Sequence, residues 1–266
     1  MDMQLAGKRA LVTGSSAGLG QAIAEALARE GATVVVHGRD EERTRGTADR
    51  IRDGDGQAEA AIGDLSTPEG AAAVAEAALS GGTIDILVNN AGAYDQVGWM
   101  DATPEIWAET YQSNVLSGVR MIQSLVPHMR ETGWGRVIQI GGGLGAQPMA
   151  AQPHYNASLA ARHNLTVSLA RELKGSGITS NTVAPGAILT ESVRSLLWRI
   201  APAHGWGDTW EEIERAAAES WVPNDANRFG RPEEIAAAVV FLASPLAGYI
   251  SGATLRVDGG TIRYVN

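Results

Sequence analysis

The sequence predicts one doubly wound parallel α/β sheet with helices on both faces, and three observations carry that prediction. Short β-branched runs alternate with longer helical patterns from one end of the chain to the other. A glycine-rich loop follows the first strand directly and opens the first helix. No linker, internal repeat or low-complexity tract divides the 266 residues, so 1–266 reads as a single domain.

Composition narrows the partners. Hydrophobic residues at 44% and charged residues at 19% describe a globule with a substantial core. A formal charge of −9 is unfavourable for nucleic acid and for an anionic membrane, both of which reward a basic face. The absence of cysteine removes disulfides, thiol nucleophiles and thiolate metal sites. The five histidines show no metal-binding spacing, so no metal centre is expected. Met1–Arg9 has no apolar core of a signal peptide, and the longest apolar run, Ile235–Ala243, is far shorter than the roughly 20 residues of a membrane span. The expectation is a cytoplasmic protein acting on a small molecule.

Taken in order, Lys8–Thr13 is a strand, Gly14–Gly20 the loop, Gln21–Glu30 a helix that Gly31 ends, and Thr33–Val36 a second strand. Strand, glycine loop, helix and strand within about 30 residues form half of a Rossmann-like dinucleotide site. Its glycines let the backbone approach a pyrophosphate, and the helix N-terminus offers free N–H groups. The spacing is G-x-x-x-G-x-G, from Gly14 through Gly18 to Gly20. Where an acidic residue would meet the adenosine ribose stand His37-Gly38-Arg39. An arginine there suits a 2′-phosphate and favours NADP(H) over NAD(H), unless it is a solvated loop residue.

Ala48–Ala61 reads as a weak helix and turn entering a short strand. Asp64 beyond it accepts a bond from an adenine amino group or caps the helix Pro68–Leu79. Ile84–Val88 is a buried strand, and Asn89-Asn90-Ala91-Gly92 after it can tie strand ends together. Pro104–Arg130 is one long helix with Asn114 in its middle, a poor place for asparagine without a partner. Val137–Ile140 is a strand, Gly141–Gly143 a loop, and Tyr155 begins the next helix; a tyrosine at the mouth of a parallel sheet is a proton donor or a packing residue. Thr179–Val183 is a strand that Ala184-Pro185-Gly186 breaks. Residues 191–228 hold four of the seven tryptophans and divide at Gly205-Trp206-Gly207 into helices Ser192–Ile200 and Thr209–Ser220. This segment reads as a substrate lid, an interface or a satellite core, with Trp198 and Trp206 as candidate substrate contacts. Pro232–Ala243 and Thr254–Val257 are the last helix and strand.

Together, Thr13-Gly14 through Gly18-Leu19-Gly20, Asp64, Asn89–Gly92, Asn114, Tyr155, Pro185-Gly186 with Thr190, and the Gly252…Asp258-Gly259-Gly260 ending resemble the short-chain dehydrogenase/reductases, closest in style to 3-oxoacyl-carrier-protein reductases. The resemblance covers essentially the whole chain. It implies hydride transfer between a nicotinamide and a carbonyl or alcohol carbon. It implies cofactor contacts at Gly14, Ser16, Gly18, Leu19, Gly20, Arg39, Asp64, Leu65, Asn90, Ala91, Gly92, Tyr155, Pro185, Gly186 and Thr190. A homotetramer, or a homodimer, is also implied, with the Asn114 and Tyr155 helices packed across a two-fold axis. By position Tyr155 is the acid/base and Asn114 the holder of a proton-relay water. The family's lysine, four residues after the tyrosine, is Leu159 here, and its serine is Gly142. With neither charge nor hydroxyl there, Tyr155 is expected to stay at its ordinary pKa of about 10 or to rise if buried. Gly141–Gly143 offer backbone N–H groups as a substitute for the hydroxyl, which makes Gly142 and Gly143 candidate substrate contacts. No replacement for the lysine is convincing: His163 lies two turns on, and His154 and Ser158 face sideways. The departures leave open a ligand-binding relative without turnover, or a non-redox lyase or isomerase using Tyr155.

Overall fold

A computed structural model describes residues 1–264. Seven strands form one parallel sheet: β1 (Arg9–Val12), β2 (Thr33–Gly38), β3 (Gln57–Ile62), β4 (Ile86–Asn89), β5 (Gly135–Ile140), β6 (Ile178–Pro185) and β7 (Thr254–Val257), in the order β3-β2-β1-β4-β5-β6-β7. The chain winds outward from β1 to β3, then returns to start β4 on the other side of β1. The carboxyl ends of β1 and β4 therefore flank the switch point, where an open α/β sheet leaves its crevice.

Alternation along each strand builds two cores. In β1, Ala10 and Val12 face α1 (Gly18–Arg29) and α9 (Pro232–Ala243), where they meet Ile23, Leu27, Ile235 and Val239. Leu11 faces the other layer, α3 (Pro68–Leu79) and α5 (Ser117–Thr132), through Val74, Met121 and Leu125. A third core is separate. It lies between α7 (Glu191–His204) and α8 (Trp210–Ser220) and holds Leu197, Trp206, Ile213, Ala217 and Phe229.

Three elements depart from expectation. α2 (Glu41–Asp53) begins directly after Asp40, whose carboxylate accepts from Arg43 N–H, and it buries Thr44, Thr47, Ala48 and Ile51. The long helix is α4 (Pro104–Tyr111) and α5, joined by a π-helical turn over Gln112–Leu116 that contains Asn114. β6 runs through Pro185, which pairs with Val257, rather than breaking at Ala184; at a strand end proline costs the ladder little. The remaining helix, α6 (Pro153–Glu172), follows a short 3₁₀ turn at Gly143–Gly145.

Candidate active site

The crevice is built by latching the tips of β1 and β4. Thr13 Oγ1 accepts the N–H groups of Asn90 at 2.9 Å and Ala91 at 3.0 Å, and Asn90 Nδ2 donates to Thr13 O at 2.9 Å and Gly14 O at 3.1 Å. Gly14 adopts φ +64, and a side chain on it would start 2.9 Å from Ala91 Cα. One on Gly20 would run into Gly14 O and Asn90 Nδ2, so α1 reaches this close only because residue 20 is bare. His37 closes the loop from β2. Its Nδ1 accepts Gly14 N–H at 3.0 Å and its Nε2 meets Gly63 O at 3.1 Å, so only the neutral Nε2–H tautomer serves both. Burial holds His37 below its ordinary pKa, against the pull of Gly63 O and Asp64.

The start of α1 fits a pyrophosphate. Asp40, Thr67, Thr103, Thr190 and Thr209 cap α2, α3, α4, α7 and α8, but α1 has Ala17 at its N-cap, no side-chain cap bond and no acidic residue in its first turn. The backbone N–H groups of Gly18, Leu19 and Gly20 are left for an anion, beside Ser16. Thr190 Cγ2 comes within 3.7 Å of where a Gly18 side chain would start, so the foot of α7 borders the same groove. Past the end of β2, Arg39 extends into solvent with its side chain 77% exposed, 3.9 Å from Asp64 Oδ2. Asp64 Oδ1 accepts Ser66 N–H at 2.9 Å, and the Ser66 groups, followed by Arg39 and His37, hold its carboxyl below the usual range. Leu65 buries its side chain, and its carbonyl accepts from Arg120 at 3.1 Å. On the far side, Gly186 lets the chain pass Asp258, whose Cα would lie 2.9 Å from any side chain there.

Tyr155 is the third residue of α6. Asn156 Nδ2 donates to Met149 O at 2.7 Å and Ala151 O at 3.1 Å, which fixes the entry to this helix. Asn114 finds the partners its position demands: Oδ1 accepts Ala93 N–H at 2.7 Å, while Nδ2 donates to Ala93 O at 2.9 Å and Ser158 Oγ at 3.0 Å. Ser158 in turn donates to Tyr155 O at 2.7 Å. The π turn, Asn114 and the first turn of α6 thus form one rigid cluster, in keeping with the habit of π turns to mark functional sites.

The two missing polar groups prove to be neighbours. A side chain on Gly142 would start 2.9 Å from Leu159 Cδ1, and Leu159 is buried. Gly141 N–H is committed to Val183 O at 2.8 Å, which narrows the backbone donors expected of this loop to Gly142 and Gly143.

Arg162 was not among the expected site residues. It is 4% exposed, and its guanidinium donates to Ala91 O, to Asn114 O, to Ile140 O at 2.6 Å and to Asn89 O at 3.5 Å. Burial draws it down to about 10, so it remains a cation at neutral pH, and the charge acts on Tyr155. Burial around the hydroxyl pushes the Tyr155 phenol up, Arg162 pulls it down, and Tyr94 adds a smaller push upward. Helix geometry was the available signal. Seven residues return to within about 20° of Tyr155 around α6, whereas His163, at eight, is rotated by about 80°.

The Tyr94 ring lies 6.4 Å from that of Tyr155, and its hydroxyl is 3.3 Å from Ser192 Oγ on α7; Trp99 is tilted against Trp107 at 5.8 Å. Trp198 is 43% exposed beside Trp210. Trp206, by contrast with the expectation of a substrate contact, is buried in the α7–α8 core and stacks on His204 at 4.5 Å.

Comparison with known proteins places the chain in a family. Residues 8–198 match the family model described as short chain dehydrogenase. An uncharacterized oxidoreductase, YvaG of Bacillus subtilis, is 39% identical over 268 residues and covers 100% of both chains. The 3-oxoacyl-[acyl-carrier-protein] reductase FabG of Vibrio cholerae is 39% identical over 260 residues, with 97% of this chain and 98% of that one covered. The crystal structure of L-sorbose reductase from Gluconobacter frateurii, complexed with NADPH and L-sorbose, superposes with a TM-score of 0.94 at 35% identity over 100% of both chains. With the latched β1–β4 crevice, the uncapped α1 and Tyr155 opening α6, these matches mean that the chain belongs to the short-chain dehydrogenase/reductase family of oxidoreductases.

Proposed function

We propose that this enzyme interconverts a carbonyl and an alcohol on a bulky, partly apolar small molecule, using NADP(H) in preference to NAD(H). The observation that carries the reading is the uncapped N-terminus of α1, behind a glycine loop that Thr13 and Asn90 latch to the tip of β4, with Tyr155 at the start of α6. The α1 N–H groups hold the pyrophosphate and Arg39 the 2′-phosphate, while Asn90, Ala91, Gly92, Pro185, Gly186 and Thr190 line the path to Tyr155. A bound dihydronicotinamide supplies hydride to the carbonyl carbon. The Tyr155 hydroxyl gives the substrate oxygen its proton in reduction and takes it back in oxidation. Residues 191–228, with Trp198 and Ser192, act as the lid, and Tyr94 faces it across the opening. A homotetramer, or homodimer, through the α4, α5 and α6 faces and a cytoplasmic location complete the proposal.

The buried apolar pair Gly142–Leu159 favours one second reading, a ligand-binding relative that holds the dinucleotide without turnover. Titration with NADPH and with NADH, by ligand fluorescence or heat, comes first. NADPH binding in the micromolar range with NADH much weaker is expected. Arg39→Ala is expected to lower NADPH affinity about tenfold or more and leave NADH unchanged, because a charge-assisted phosphate contact is lost. Binding of neither cofactor sinks the oxidoreductase proposal. Binding without turnover across a panel of ketoses, acyl ketones and alcohols selects the second reading.

A further inference from the structure

Arg162 sits where elementary electrostatics disfavours an arginine. It is buried, its guanidinium meets four main-chain carbonyls, and among the described residues no carboxylate pairs with it. Carbonyl dipoles satisfy N–H groups but carry no net charge, so the cost of desolvating a cation is met only in part. Only a guanidinium has enough N–H groups to reach four carbonyls, and the charge that comes with it is left without a counter-ion among the described residues. One of the five guanidinium hydrogens, on Nη2, also has no acceptor among the described residues.

We propose that Arg162 takes the place of the absent lysine as the fixed positive charge of the site, a positioning residue that acts through Tyr155. The proposal rests on Tyr155 being the acid/base of the oxidoreductase reading. Seven residues apart on α6, the two side chains share one stripe of the helix, and a long side chain leans back over the turn before its own Cα, toward Tyr155. The chain around them is shaped to admit the guanidinium. A side chain on Gly92 would start 3.0 Å from Asn114 Oδ1 and 3.3 Å from Arg162 Nη2, so any larger residue would press on both groups where the β4 loop closes over them. Leu159, three residues before Arg162 on the same face, has to be uncharged if Arg162 is to stay; a lysine there would bury a second cation beside the first. On this account the family's positive charge has moved one helical turn along α6, and Leu159 and Gly142 have closed the space it left.

The proton balance is simple. In reduction the Tyr155 O–H bond breaks, its proton goes to the substrate oxygen, and a phenolate remains. The phenolate lies in the field of Arg162, which keeps its own proton throughout, until water reprotonates the tyrosine. The titratable groups facing Tyr155 are Arg162 on its own helix and Tyr94 from the β4–α4 loop; His163 lies against Arg162.

The test compares Arg162→Gln and Arg162→Lys with the wild type, reading the phenolate midpoint of Tyr155 by ultraviolet difference titration with Tyr155→Phe as the blank. The pH profile of alcohol oxidation and the NADPH affinity are followed in parallel. Arg162→Gln is expected to move the midpoint and the profile up by about one pH unit or more, a tenfold loss of phenolate at a given pH, with NADPH still bound. Arg162→Lys, and Leu159→Lys combined with Arg162→Gln, are expected to bring both back toward wild type. A folded, NADPH-binding Arg162→Gln protein whose Tyr155 midpoint has not moved overturns the proposal. If Arg162→Gln does not fold, Arg162→Lys decides: a midpoint raised by about one pH unit despite the retained charge overturns it, and an unchanged one supports it. A wild type that shows the coupling but no turnover would refute the oxidoreductase reading and leave the role of Arg162 standing.

Discussion

Gly142 and Leu159 behave as one substitution spread over two elements. The Leu159 methyl lies where a side chain on residue 142 would begin, at 2.9 Å, and both residues are buried. Gly142→Ser alone is expected to overpack the site and destabilise by about 1–3 kcal/mol, while Leu159→Ala leaves a cavity that costs about 2–5 kcal/mol. Combined, the serine fills part of the cavity. The double variant is therefore expected to be more stable than the sum of the singles predicts by about 0.5 kcal/mol or more. Chemical denaturation of the four proteins measures this, and strict additivity would show that the two residues are independent. Both departures are visible in the sequence, as a glycine and a leucine at positions where the family resemblance implies a hydroxyl and a cation. Arg162 was not, because a charged residue amid a polar helix reads as solvated. Only the fold reveals that this turn of α6 passes beneath Ala91, Asn114 and Ile140.

At the scale of elements, long periodic helices and buried strands were legible, and elements whose buried face is polar were not. Pro68–Leu79 and Pro232–Ala243 match their expected bounds because proline starts them and alanine and valine fill the inner face. α2 escaped its true start because it buries two threonines where leucines would have signalled a helix, under a surface rich in arginine and glutamate. The interruption of the α4–α5 helix was invisible for a related reason: apolar spacing continues through it, and only Asn114 marks the place. That asparagine clamps both backbone groups of Ala93 and reaches Ser158, so it joins the β4 loop to α6. Asn114→Ala leaves the Ala93 amide and carbonyl without their partners and is expected to destabilise by about 1–3 kcal/mol. The loop carrying Tyr94 and Trp99 is expected to loosen most. Hydrogen exchange checks this: faster exchange confined to residues 91–101 and the start of α6 supports the clamp, and uniform acceleration across the sheet would count against it.

Over the whole molecule, the parallel sheet concentrates its chemistry at one rim, and the histidines couple that rim to pH. His37 and His163 are both held below the ordinary value of 6.5, in each case chiefly by burial, with Arg162 adding to the effect on His163. The unfolded chain therefore binds protons below that pH that the native protein refuses, so native stability is fully present above about pH 6.5 and declines as pH falls toward the native values. The carboxylates act later. Glu59 and Asp64 are depressed in the native state by Arg9 and by the Ser66 groups, respectively, so their stabilisation is lost only as pH falls below the usual carboxylate range. Two windows follow, the first belonging to the histidines. His37 has the added consequence that a proton on Nδ1 turns the acceptor of Gly14 N–H into a second donor facing it, which is expected to open the glycine loop before α1, proposed above to hold the pyrophosphate. Melting temperature is expected to fall between about pH 7 and pH 5.5, with NADPH affinity falling alongside it. His37→Gln keeps an acceptor without a titrating ring and is expected to reduce both losses, leaving the share that belongs to His163. An undiminished fall in the variant would place the acid sensitivity outside the β1–β2 loop and remove the link between this histidine and cofactor binding.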